Sequence, residues 1–490
     1  MNQIQEGFAG TNRKAFIPLF ILFLLLLNCI LKFYGIGYSS FWIDEAYSVS
    51  EAQRSITGIF QDCAATDNPP FYFILLHCWC KVFGITENAV RSMSAVFSIA
   101  SVLLLFYFAR KNLSLATAIF VSLIFSLSNQ HLFYAQETRN YALVFLLTLI
   151  SAIYYSKLFS EGKIKSLIFL TLINILLIYT HYIAGFLVAC EGIVALIFFR
   201  SHRKFFFQIL LSCILVILMM VPWISNVLKH IPEEGKFWLQ KPTFYNFKGL
   251  YIDFAGNKIV TVLMFGIIAL GSYSLYRQRR KQLNLAPVFN SIFFITWAFV
   301  VPIIVYMIAF YRPVFLTRYL LYCSIGFYLS TGLSLEALKL KPQLKFSIAI
   351  LLLFCMTFSL ELHPEREEQW REAVDLVKRI KSKNDLVIVS VSYTNNVFSY
   401  YYDINIFRQY NDIDELLKKE NIFSMSTLDE ASFKMLPLSG KIILIQSHQV
   451  DDDPQNTVMT TLLANTRKIV TADYNKVQVT VFDKFSMLKM

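Results

Sequence analysis

The sequence predicts a mainly α-helical protein that crosses a membrane many times and ends in a small extramembrane α/β domain. Three observations lead there: the composition, the spacing of long apolar segments, and basic residues on alternate short loops. Of 490 residues, 56% are hydrophobic and 16% charged, with 46 Phe and 26 Tyr. Soluble domains average about 45–50% apolar and ~25% charged residues. The formal net charge of +12 belongs to the membrane pattern, because Lys and Arg collect on the cytoplasmic side of spans. It therefore gives no reason to expect a nucleic-acid partner.

A bilayer core takes ~20 mainly apolar helical residues. Segments 15–34, 90–109, 114–130, 141–158, 165–182, 183–199, 205–225, 258–276, 288–310, 314–335 and 345–361 meet that need, predicting roughly eleven transmembrane helices. The first segment, preceded by Arg13 and Lys14, reads as an uncleaved helix rather than a signal peptide. Basic clusters at Arg110/Lys111, Lys157/Lys163/Lys165, Arg200/Arg203/Lys204, Arg277/Arg279/Arg280/Lys281 and Lys339/Lys341/Lys345 fall on alternate loops. The positive-inside rule then puts the N-terminus inside and loops 35–89, 131–140 and 226–257 outside. The aromatic stretch 68–83 is too short to cross and suits an interfacial helix.

Residues 1–361 thus read as a membrane domain and 362–490 as an extracytoplasmic one. Glu365-Arg366-Glu367-Glu368 opens the change in composition. Helical spacing over 372–381, 412–420 and 455–464 alternates with strand-like runs at 385–391, 441–446 and 477–482, a pattern of small α/β domains. The eight Cys show no framework spacing, and no disulfide is predicted.

The chemistry-bearing residues gather on the outer loops. Phe41-Trp42-Ile43-Asp44-Glu45-Ala46-Tyr47-Ser48 follows the first span, placing two carboxylates within an aromatic frame. Trp and Tyr suit the headgroup level, whereas adjacent acids gain little from lipid phosphates. Further along come Asp67 and Asn68-Pro69-Pro70-Phe71-Tyr72, then Tyr134-Ala135-Gln136-Glu137-Thr138-Arg139-Asn140-Tyr141. His181-Tyr182 ends a span, and Arg312, Arg318 and Tyr319 flank another. Any one cation here is equally at home as a snorkelling anchor. Several acids and cations on one predicted face point instead to a polar site.

These motifs, in this order, resemble the dolichyl-phosphate-mannose protein mannosyltransferases, the GT-C glycosyltransferases, and among them the bacterial RgtA/B/C/D-like branch. The similarity spans roughly 15–361 and touches Glu368-Gln369-Trp370-Arg371-Glu372. It implies inverting transfer of a hexosyl or pentosyl unit from a polyprenyl-phosphate donor, outside a bacterial cytoplasmic membrane. Carried over by position, Asp44 matches the essential first-loop Asp, a catalytic general base or a group that orients the acceptor or a metal, with Glu45 its paired acid and Glu137 the second-loop acid. Arg139, Arg318, Tyr319, Arg312 and Asn68 fall at donor-phosphate positions. Many relatives carry His or Lys where this chain has Asn68, which contributes no charge. Trp42, Tyr47, Tyr72 and His181 line the expected acceptor and lipid groove.

The chemistry agrees. A sugar leaving a lipid phosphate develops oxocarbenium character. The departing phosphate needs cations rather than a proton, and the acceptor hydroxyl needs a base. The expected partners are the lipid-linked donor, a lipid, glycan or protein acceptor, and membrane lipids. No cofactor is required by this reading, although Asp44, Glu137 and His181 are of a type to hold a divalent metal ion. Two competing readings are a flippase for polyprenyl-linked sugars, expected to carry ionisable groups in mid-span, and a non-catalytic envelope assembly protein.

Overall fold

A computed structural model describes residues 2–66, 68–229, 240–279, 286–362 and 368–484. Asp67, Arg280, Lys281, Glu365, Arg366, Glu367 and part of the 226–257 loop lie outside the described residues. The chain divides into two compact units that are discontinuous in sequence. One takes Met1–Tyr34, Phe60–Tyr72 and Arg91–Leu362, and the other Gly35–Ile59, Phe73–Val90 and His363–Met490.

The first unit is helical. Among the described residues six helices are long and apolar enough to cross a membrane: Phe16–Phe33, Glu87–Asn112, Tyr141–Glu161, Arg203–Asn226, Lys258–Arg277 and Pro287–Ile308. Leu115–Leu127 and Asn129–Ala135, bent by 59°, make a seventh if taken as one span. The other predicted segments hold shorter helices, Ile164–Ile178, Phe186–Ile197, Cys323–Ala337 and Pro342–Thr357. At 1.5 Å per residue these fall short of a ~30 Å hydrocarbon core. Segment 314–335 is not one helix: Thr317–Leu320 forms a 3₁₀ turn before the helix starts at Cys323.

Small residues and buried polar groups hold these helices together. A Cβ on Gly271 would meet the Ser334 carbonyl oxygen at 2.4 Å, so glycine lets the two helix backbones touch. Inside the apolar run 183–199, Glu191 is fully buried. Its carboxyl oxygens lie 2.7 Å from Ser151 Oγ and 2.7 Å from Asn174 Nδ2, and Tyr155 OH donates to its backbone carbonyl at 2.7 Å. Three helices are pinned at this one carboxyl group. Glu191→Leu would leave the buried Asn174 Nδ2 without its acceptor, with Ser151 Oγ keeping only Asn174 Oδ1 at 2.7 Å, and should destabilise the protein by about 1–3 kcal/mol. Glu191→Gln, which can keep both contacts, should stay near the parent. Thermal unfolding in detergent checks this, and equal losses in the two variants would speak against the clamp.

The second unit carries a five-stranded sheet of β1 (Leu386–Ser390), β2 (Ile422–Ser424), β3 (Ile442–Gln446), β4 (Thr466–Tyr474) and β5 (Val477–Lys484). The order is β2-β1-β3-β5-β4, with β1 parallel to β2 and β3, and β5 antiparallel to β3 and β4. β1 and β3 are buried throughout, as unbroken apolar runs in parallel pairs should be. Leu386, Ile388, Ile442, Leu444, Leu462 and Phe482 form its core. Helix Trp370–Ile380 buries Trp370, Ala373, Val374 and Val377 on one face.

The same unit includes the helices Ile43–Gln53 and Phe71–Phe83, the latter from residue 73 on. Arg371 donates to the carbonyls of Gly37, Tyr38 and Ser39 at 3.2–3.3 Å and pairs with Glu87. Tyr401 OH also donates to Glu87. Its oxygen accepts from the Phe41 amide at 2.6 Å, and burial followed by the Glu87 charge keeps the phenol well above its ordinary pKa. Arg371→Lys removes the planar fork that serves several acceptors at once. A loss of roughly 1–3 kcal/mol in the unfolding of this unit is expected. It is measurable as faster hydrogen exchange in 37–41 than in β3, and unchanged exchange would contradict the assignment. All eight cysteines are free.

Candidate active site

The first-loop carboxylates stand at a helix start. Helix Ile43–Gln53 begins after Trp42, whose backbone is extended (φ −95°, ψ 173°) and whose carbonyl accepts from the Glu45 and Ala46 amides at 3.1 Å. Asp44 and Glu45 occupy the first turn, where the helix dipole favours negative charge. Glu45 is buried and Asp44 only half-buried, so Asp44 is the more accessible acid. Ser48 Oγ donates to the Asp44 carbonyl at 2.8 Å. Trp42 and Tyr47 are half-buried, Tyr47 meeting Phe73 edge-on at 6.0 Å. These residues all belong to the second unit.

The other predicted residues lie in the first unit, at breaks between helices. Helix Asn129–Ala135 stops at Gln136, and the next begins at Tyr141. Gln136 Nε2 donates to the carbonyls of Lys32 (3.2 Å) and Tyr34 (2.9 Å), supplying partners at the end of the first helix. Asn140 Nδ2 donates to the Thr180 carbonyl at 2.8 Å, and Ser94 Oγ to that of Arg139 at 3.4 Å. The turn between holds Glu137, which is buried, and Arg139, half-buried.

An aromatic and cationic group forms around His181. Its ring lies 6.1 Å from Tyr141 and 5.0 Å from Tyr319, and the Arg318 guanidinium sits 5.7 Å from the Tyr319 ring centroid. His181 is half-buried in the turn after helix Ile164–Ile178. Desolvation, followed by the Arg139 and Arg318 charges, pushes its pKa down to about 3. The imidazole is therefore neutral at physiological pH, and Arg139, His181, Arg318 and Tyr319 form one neighbourhood. A group of two guanidiniums, a neutral imidazole and a phenol suits a phosphate.

The remaining expectations fare differently. Arg312 is exposed, its amide donating to the Ile308 carbonyl at 2.9 Å just past helix Val301–Ile308. Asn68 donates from Nδ2 to the Thr66 carbonyl (3.3 Å) and hydroxyl (3.2 Å), so its amide closes a local turn. Tyr72 is buried beside Phe71, whose amide donates to the Tyr179 carbonyl at 3.0 Å. Among the described residues no group of three or more His, Cys, Asp or Glu is placed to hold a metal ion. Sequence reading missed Asp253, which bonds the Thr317 side chain next to Arg318 and whose pKa is raised by burial. A lone acid in the helix Phe244–Ala255 gave no motif to find it by.

Known proteins place this geometry. Residues 67–225 match the family model described as dolichyl-phosphate-mannose-protein mannosyltransferase. No curated protein matches the chain by sequence. Among solved structures, ArnT from Cupriavidus metallidurans in the apo state aligns at TM-score 0.61 and 12% identity, over 95% of this chain and 98% of that one. The same protein bound to undecaprenyl phosphate aligns at 0.59 and 12%, over 94% and 98%. The archaeal oligosaccharyltransferase AglB from Archaeoglobus fulgidus, with an inhibitory peptide and a dolichol-phosphate, aligns at 0.50 and 9%, over 98% and 75%. At such identities the likeness is one of fold. The chain shares the fold of these GT-C glycosyltransferases, and residues 67–225, which include two of the loop motifs, match the dolichyl-phosphate-mannose-protein mannosyltransferase model.

Proposed function

We propose that this protein moves a sugar, with inversion, from a polyprenyl-phosphate donor to an envelope acceptor on the extracytoplasmic face of a bacterial cytoplasmic membrane. The observation that carries the reading is the grouping of Arg139, His181, Arg318 and Tyr319 at helix breaks, within a fold shared with a protein solved with undecaprenyl phosphate. Arg318 and Arg139 hold the donor phosphate and stabilise it as it departs. His181, neutral, donates or accepts a hydrogen bond there without adding charge. Asp44 takes the proton of the acceptor hydroxyl, and Glu45 and Glu137 support the carboxylate chemistry of the outer loops. Trp42 and Tyr47 offer amphipathic rings to acceptor and lipid, whereas Tyr72, expected in the same groove, is buried and packs inside the protein. Arg312 and Asn68 complete the donor positions that the resemblance implies.

The flippase reading expects ionisable groups in mid-span. Glu191 is one, yet both its carboxyl oxygens are held by Ser151 and Asn174, which makes it a clamp rather than a carrier. Single-turnover assays in nanodiscs, with labelled polyprenyl-phosphate hexoses and pentoses, test the proposal: a new glycosidic bond supports it, and donor crossing the bilayer without bond formation opposes it. The orientation has its own test. Reporter fusions at Lys281 and after Met490 should report opposite sides of the membrane, and a shared side would overturn the extracytoplasmic placement.

A further inference from the structure

In the unit that holds the sheet, a cavity of about 420 Å³ is lined by Tyr38, Ser39, Gln369, Arg371, Glu372 and Asn475, among others. That volume falls in the ~300–1,000 Å³ range of small-molecule sites. Its walls are tied in place. The Arg371 fork is spent on the carbonyls of Gly37, Tyr38 and Ser39 and on Glu87. Gln369 is fixed by a reciprocal pair: its amide donates to the Asn475 carbonyl at 3.0 Å, and its Oε1 accepts from the Asn475 amide at 2.9 Å. This leaves the Nε2 hydrogens as the donors of that side chain.

Glu372 contributes the opposite function. Its side chain is 43% exposed, with Oε1 4.0 Å from Arg371 Nη1; Oε2 is shielded from solvent and accepts no hydrogen bond among the described residues, so Oε1 is the acceptor on offer. Because Glu87 already pairs with Arg371, the Glu372 charge is the one the cavity retains. The Tyr38 ring, 62% exposed, borders it. A planar carboxylate acceptor, an amide donor and an accessible aromatic face match a pyranose, whose hydroxyls both donate and accept and whose C–H face packs on rings.

We propose that this cavity is a carbohydrate subsite for a neutral or amino sugar. Resting on the glycosyltransferase reading, it is where the acceptor glycan is held. The unneutralised carboxylate disfavours uronic acids and sugar phosphates and favours an amino group, so the charge of the sugar discriminates.

The test uses the full chain in nanodiscs and ligand-observed NMR with three probes: chitosan disaccharide, di-N-acetylchitobiose and digalacturonate. The first two should bind and digalacturonate should bind at least about tenfold more weakly, as for one unfavourable charge contact. Glu372→Gln should erase the preference for the amino sugar, and Tyr38→Ala should weaken both sugars by about tenfold. No sugar binding to the parent, or equal binding by parent and both variants, overturns the subsite. Donor turnover is measured on the same preparations. If variants lose sugar binding while no preparation ever consumes donor, the transferase reading fails and the subsite stands.

Discussion

Asp44→Asn is expected to lower sugar transfer by about 10²–10⁴-fold, the usual worth of a positioned general base, while donor affinity changes little. The substitution is close to isosteric. Asp44 lies in the first turn of helix Ile43–Gln53, where loss of its charge costs only about 0.3–1 kcal/mol of helix-dipole stabilisation. A fall in stability of that size cannot imitate a rate loss of several decades. Glu45 cannot readily take over, because it is buried whereas Asp44 is half-buried. Glu45→Gln should accordingly have the smaller effect on transfer and the larger one on folding. Single-turnover rates with saturating donor, alongside thermal unfolding, separate the two residues. Near-parental rates in Asp44→Asn would remove the base from the mechanism.

Arg318→Ala should show the opposite signature. Arg318 lies on the 3₁₀ turn Thr317–Leu320, beside Tyr319 and within the electrostatic reach of His181. It would meet the donor phosphate in the ground state as well as the transition state, so binding itself should suffer. Losing a hydrogen bond to a charged group costs about 1.5–3 kcal/mol, or roughly 10–100-fold in donor Kd. Arg318→Lys should restore part of this, since an ammonium keeps the charge but not the bidentate fork. Equilibrium binding of undecaprenyl phosphate to the parent and the two variants measures it. Unchanged affinity in Arg318→Ala would place the phosphate elsewhere.

What was legible in the sequence divides along physical lines. The buried strands β1 and β3 announced themselves as Leu386-Val387-Ile388-Val389 and Ile442-Ile443-Leu444-Ile445, because burial on both faces writes an unbroken apolar run. β4 did not, since most of its residues are exposed and its pairing with β5 depends on the backbone. The helices were read from composition, but their ends were not: Arg318 and Tyr319 sit on a turn because the helix starts only at Cys323. The grouping of residues 35–59 and 73–90 with the tail was invisible to local periodicity. It depends on contacts such as Arg371 with residues 37–39 and Glu87, which are far apart in sequence. Glu191 was readable in principle, as a lone acid in an apolar run, although its role as a clamp required its neighbours.

The central claim is that this chain adds a sugar to an envelope component through chemistry at Asp44. Mass spectrometry of cell-envelope glycans tests it most directly, comparing the intact source strain, a deletion of the gene, and the deletion carrying either the parent gene or Asp44→Asn. The account predicts that one sugar residue disappears from an envelope glycan in the deletion, returns with the parent gene, and stays absent with Asp44→Asn. Identical glycans in all four strains, or full restoration by Asp44→Asn, would contradict it.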